Sequence, residues 1–107
     1  MPNLLEVVIN DESVACDFRV ESNGQASMFI VDGTNDRVGV QCAPAYGLDV
    51  APAARYQSYI AMKSISAPTH IAGHALLYCM ENGGVDEMYV EDESGNATKI
   101  SPHNRED

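Results

Sequence analysis

Val14-Ala15-Cys16-Asp17-Phe18-Arg19-Val20-Glu21 alternates along its whole length, with Val14, Cys16, Phe18 and Val20 on one side and Ala15, Asp17, Arg19 and Glu21 on the other. A period of two describes an extended strand with one dry and one wet face. Ser22-Asn23-Gly24 follows with residues that tolerate positive φ, and Ala26 to Val31 (ASMFIV) resumes an apolar, β-prone run, so the pair reads as a hairpin. Asp32-Gly33-Thr34-Asn35-Asp36 is a second turn, and Val38-Gly39-Val40-Gln41-Cys42 alternates again until Pro44 ends the pairing. The opening run Leu4 to Ile9, closed by Asn10-Asp11, reads as an extra strand. Residues 1–42 are therefore predicted to form a ladder of short strands.

Residues 43–68 form a connector punctuated by Pro44, Gly47, Pro52 and Pro68. Within it, Ala53 to Ile65 (AARYQSYIAMKSI) fits either a short helix or a strand, with strand preferred. From residue 69 the pattern sharpens. His70 to Met80 (HIAGHALLYCM) looks like a buried strand, Asn82-Gly83-Gly84 is a strong hairpin turn, and Glu87 to Glu91 is the return strand. Ser94-Gly95-Asn96 then turns the chain into Ala97 to Ile100, and Ser101-Pro102 stops it. Residues 69–107 thus read as a three-stranded meander with a polar tail. The whole is an all-β chain of short antiparallel strands and hairpins, and 107 residues suit one cooperative unit.

Apolar residues make up 45% of the sequence and aromatics 7%, so the chain is expected to fold. Its formal charge of −10 repels phosphate backbones and anionic headgroups, which argues against nucleic acid and membrane as partners. Met1 to Asp11 lacks the basic and long apolar regions of a signal peptide, and no stretch nears the ~18 apolar residues of a membrane span. Synthesis in a cytoplasm is the expectation, and the sequon Asn96-Ala97-Thr98 reads as a turn. Cys16, Cys42 and Cys79 are odd in number and lack C-x-x-C spacing, so buried reduced thiols are expected in place of a disulfide or zinc framework.

The common catalytic templates are absent: there is no G-x-S-x-G, no Gly-rich phosphate loop and no H-E-x-x-H. His70 and His74, four apart, share a face of a strand or helix and are the only hint of an axial metal site, but no third ligand stands at a known spacing. Hydrogen-bonded histidines in a strand are the plainer account, and no cofactor is expected. Asp32 and Asp36 around Asn35, and Asp92 and Glu93 beside Asn96, offer oxygens to a hard cation but follow no known calcium-loop register. Nothing marks Cys42 or Cys79 as an activated nucleophile.

Short strands on a small chain leave unpaired edges and a thin core. One remedy is to close the sheets against identical copies around a threefold axis. The stripe that would meet its symmetry mates is Val14, Cys16, Phe18 and Val20, together with Val38 and Val40.

Two segments resemble known proteins. Residues 17–40, DFRVESNGQASMFIVDGTNDRVGV, are similar to a unit common in phage tail-fibre and other virion proteins, marine ones especially. That unit is a D-F-R-V-E-S strand, a polar turn, an apolar strand ending in V-D, and a turn into N-D-R-V-G. In those proteins it runs on into I-G-T and a Ser/Pro-rich stretch, where this chain has Val40-Gln41-Cys42-Ala43-Pro44. Residues 84–104, GVDEMYVEDESGNATKISPHN, resemble the closing motif of other phage structural proteins.

The resemblance implies a location in the virion, a trimeric β-rich fibre or knob, and a structural or attachment role. Its expected partners are copies of itself and other virion proteins of capsid, collar or tail. The length suits a short fibre or a decoration subunit better than a complete receptor-binding fibre. An alternative is a fibre tip that grips a host receptor or glycan, with Tyr46, Tyr56, Tyr59 and Tyr78 as stacking surfaces.

Overall fold

The structure is a computed structural model that describes residues 6–10 and 12–100. It is all-β: the described residues form seven strands and no helix. The chain divides into two compact units, Met1–Tyr56 and Gln57–Asp107.

The first unit holds a four-stranded sheet in the order β1 (Phe18–Val20), β2 (Phe29–Asp32), β3 (Arg37–Val40) and β4 (Leu48–Val50). Strands β1, β2 and β3 pair antiparallel as the two turns dictate. Strand β4 pairs parallel to β3, with Val38 opposite Leu48 and Val40 opposite Val50. A parallel neighbour requires a connection that crosses the sheet, and residues 41–47 make it. Gln41 enters the crossing with φ 62, and the Val38 N–H donates to the Gly47 carbonyl at 2.9 Å. Local sequence marks this region as connector and not as a parallel strand, because the backbone that Leu48–Val50 needs as a partner lies on an element that is complete by its own pattern.

The crossing decides which face of the sheet becomes interior. Arg19, Ile30, Gly39 and Asp49 stand in one row across the four strands. Residues 42–44 fold over that row so closely that a Cβ on Gly39 would overlap the Cys42 carbonyl oxygen and lie 3.0 Å from Pro44 Cδ. Ile30 is buried there. Asp49 anchors the loop, since its Oδ2 accepts the Ala45 N–H at 2.9 Å and its carbonyl accepts the Cys42 thiol at 3.3 Å.

The strand expected to begin at Val14 starts only at Phe18. Asn10, at φ 67, brackets Val14 from both sides. Its Oδ1 accepts the Val14 N–H at 3.0 Å and its Nδ2 donates to the Val14 carbonyl at 2.7 Å, which takes both backbone groups from the ladder. The chain then runs against Gly33, where a Cβ would collide with the Cys16 carbonyl. Glu6 to Ile9 is not a strand, and residues 1–5 of the proposed opening strand lie outside the described residues.

The second unit is a meander of β5 (Leu76–Asn82), β6 (Val85–Glu91) and β7 (Ala97–Lys99). Gly83 and Gly84, with φ 66 and 87, form the tight turn between β5 and β6 as Asn82-Gly83-Gly84 predicted. The long strand read over His70 to Met80 begins later, because Gly73 at φ 77 and the His74 N–H, which donates to the Ile71 carbonyl at 3.0 Å, turn the chain first. The strand preferred for residues 53–65 does not form. A single parallel bridge joins Ser64 to Cys79, since only the end of that segment reaches the open edge of β5.

Candidate functional site

In the first sheet, residues directly opposite one another share a face. Phe18, Val31, Val38 and Leu48 make one row across the four strands, and Val20, Phe29, Val40 and Val50 make the next row on the same side. All eight are apolar. The 41–47 crossing covers the opposite face and leaves this one open: Phe18 is 39% exposed and Leu48 61%, and Val20, Phe29, Val31 and Val50 are likewise exposed. Val38 and Val40 are half-buried.

Of the six residues expected at a subunit interface, Phe18, Val20, Val38 and Val40 stand together on this face. Val14 and Cys16 are exposed but lie in the irregular stretch before β1. Phe29, Val31, Leu48 and Val50 join the face without having been expected there from sequence. The first two follow from the β1–β2 register, and the last two require the parallel pairing.

A groove of about 450 Å³ opens at one end of the face. Ile9, Val14, Phe18, Phe29 and Val31 form its apolar wall, and Asp17, Asp32 and Asp36 lie along it. Its floor is thus oily and its margin anionic.

The acidic turns are closed by their own carboxylates. Asp32 Oδ1 accepts the N–H groups of Thr34 at 3.0 Å and Asn35 at 3.1 Å, and Oδ2 accepts the Asn35 side-chain amide at 3.0 Å. Asp92 repeats the device with Ser94 and Asn96, each bond at 2.9 Å. The Asn35 side chain, then the Thr34 and Asn35 N–H groups, hold Asp32 below the ordinary aspartate range; the Asn96 side chain and backbone do the same for Asp92. These oxygens act as turn caps.

In the second unit, Tyr78, Tyr89 and Lys99 stand in one row across β5, β6 and β7. The Tyr78 and Tyr89 rings stack at 5.5 Å. Glu87 and Glu91, on the same side of β6, are only 3% and 4% exposed. Lys99 Nζ lies 3.8 Å from Glu87 Oε2, and the Tyr78 hydroxyl donates to Glu91 Oε1 at 3.4 Å. Burial, then the Glu91 carboxylate, raises the Tyr78 hydroxyl above its usual pKa. Tyr78 is therefore a packed residue and not the exposed stacking surface considered from sequence, whereas Tyr46, Tyr56 and Tyr59 are exposed.

His70 and His74 are exposed in the loop before β5 and not in a strand. His74 Nδ1 meets the Ala72 carbonyl at 2.9 Å, and His70 packs beside Gly95, whose added Cβ would sit 3.0 Å from His70 Nδ1. No cluster of three or more His, Cys, Asp or Glu suited to a metal occurs among the described residues. Cys79 is buried, Cys42 half-buried and Cys16 exposed, so the expectation of buried thiols holds fully only at Cys79.

No known family model and no curated protein matches this sequence. The fold is similar to that of a hyaluronidase from Streptomyces koganeiensis, with a TM-score of 0.70 and 19% identity over 92% of this chain and 51% of that one. The chain spans about half the length of that protein, and at this identity the likeness is one of fold.

Proposed function

We propose that this chain is a structural subunit of a virus particle: a small trimeric fibre, or a capsid or collar decoration protein, of a tailed-phage-like virion, and not an enzyme. The observation that carries the reading is the eight-residue apolar face of β1 to β4, six of whose residues, Phe18, Val20, Phe29, Val31, Leu48 and Val50, are exposed. Isolated exposed apolar residues are ordinary, but a contiguous apolar sheet face marks an interaction surface.

Identical copies are the partner that every subunit of a homogeneous particle has at hand, and a threefold axis lets three such faces close on one another. The resemblance of residues 17–40 and 84–104 to virion proteins supplies the particle.

Sedimentation equilibrium of the purified chain tests the assembly. Three times the chain mass at micromolar concentration is expected, and a monomer at all concentrations would overturn the reading. Imaging of particles with and without the protein would then locate it on head, collar or tail.

A further inference from the structure

The Ala51 N–H donates to the Val40 carbonyl at 3.1 Å and the Ile65 N–H donates to the Cys79 carbonyl at 2.8 Å, but residues 52–63 between them form no hydrogen bond with any of the described residues. Such a bare stretch usually belongs to a solvated linker, and linkers are rich in Gly, Ser or charge. Here the sequence is Ala53-Ala54-Arg55-Tyr56-Gln57-Ser58-Tyr59-Ile60-Ala61-Met62-Lys63, with no glycine and an apolar, β-prone centre. Tyr56 is 63% exposed, Tyr59 83% and Ile60 54%.

Charge sets the segment apart as well. In a chain of net charge −10, residues 50–80 contain no Asp or Glu, and Arg55 and Lys63 flank the apolar centre. The groove beside β1 and β2 is its complement, with an apolar wall that includes Phe18, Phe29 and Val31 and carboxylates at Asp17, Asp32 and Asp36.

We propose that residues 53–63 of one copy dock into this groove of a second copy, Tyr59 and Ile60 against the apolar wall and Arg55 and Lys63 toward the aspartates. The exchange rests on the assembly reading and deepens it, because it names the segment that ties neighbouring copies together. Apolar contact supplies most of the affinity, and the opposed charges add a salt-dependent attraction.

The test uses the full chain with a benzophenone side chain in place of Tyr59, mixed as equal amounts of isotopically light and heavy protein and irradiated at a concentration where sedimentation shows oligomers. The expected product is a light–heavy crosslink that maps to residues 9–36. Arg55→Glu with Lys63→Glu is expected to weaken association at least ~10-fold at low salt and far less at 0.5 M salt, where exposed charges are screened. Oligomers whose crosslinks stay within one chain, or map outside the groove, would overturn the exchange while leaving the assembly reading intact. Monomers at every concentration would overturn both.

Discussion

Phe29 and Val40 stand directly opposite each other on β2 and β3, on the side of the sheet away from the 41–47 crossing. Their neighbours Val20 and Val50 extend the row to both edges. Under the proposed assembly this row of four apolar side chains is half of an interface.

Val31→Asp places a charge in the adjoining row. Association is expected to weaken by about 2 kcal/mol or more, roughly 30-fold, as for a central interface residue. The melting temperature of the unmodified chain should rise with protein concentration, as mass action requires of an oligomer, and Val31→Asp should lose that dependence. Sedimentation and thermal unfolding over a hundredfold concentration range read both effects.

Gly39→Ala tests the covered face. The new methyl meets the Cys42 carbonyl, which is backbone and cannot swing away. A loss of about 1–3 kcal/mol in urea unfolding is expected. Gly47→Ala, in the same connection but with open space around it, should stay within about 0.5 kcal/mol.

Acid should loosen both capped turns. Asp32 and Asp92 are held below the ordinary value of 3.8 by the donors around them, so the folded state favours their ionised form. Their contribution is complete above the ordinary value and disappears as pH falls through the lower folded values. Unfolding measured from pH 6 to pH 2 should show this fall, and Asp92→Asn, whose side chain cannot titrate, should flatten part of it.

Alkali should act on the second unit through Tyr78. Its hydroxyl keeps its proton above the ordinary value of 10.0, because burial and then Glu91 oppose the phenolate. The associated stability is complete below pH 10 and is lost as pH rises through the folded value. Tyrosinate absorbance of native and urea-unfolded protein should differ by a late-ionising group, and Tyr78→Phe should remove it.

Local chemistry made much of this fold readable. Asn82-Gly83-Gly84 supplies the positive φ of a two-stranded turn, and Phe18 to Val20 and Phe29 to Val31 alternate as a half-covered sheet requires. These signals act over a few residues and survive without tertiary context. The strand assigned from Val14 failed because alternation cannot reveal that Asn10 captures the Val14 backbone. The helix-or-strand ambiguity of residues 53–65 has its own physical source: among the described residues the segment pairs with backbone only at its end, Ser64 and Ile65.

Backbone period and turn residues alone suffice for the all-β class, for the antiparallel runs β1 to β3 and β5 to β7, and for Phe18, Val20, Val38 and Val40 of the six-residue stripe, but not for Val14 and Cys16, which fall before β1. Long-range packing sets the parallel return of β4 and the seal of the 41–47 crossing over Ile30. A strand carries two faces in its pattern, but which one becomes interior depends on where a distant loop comes to rest.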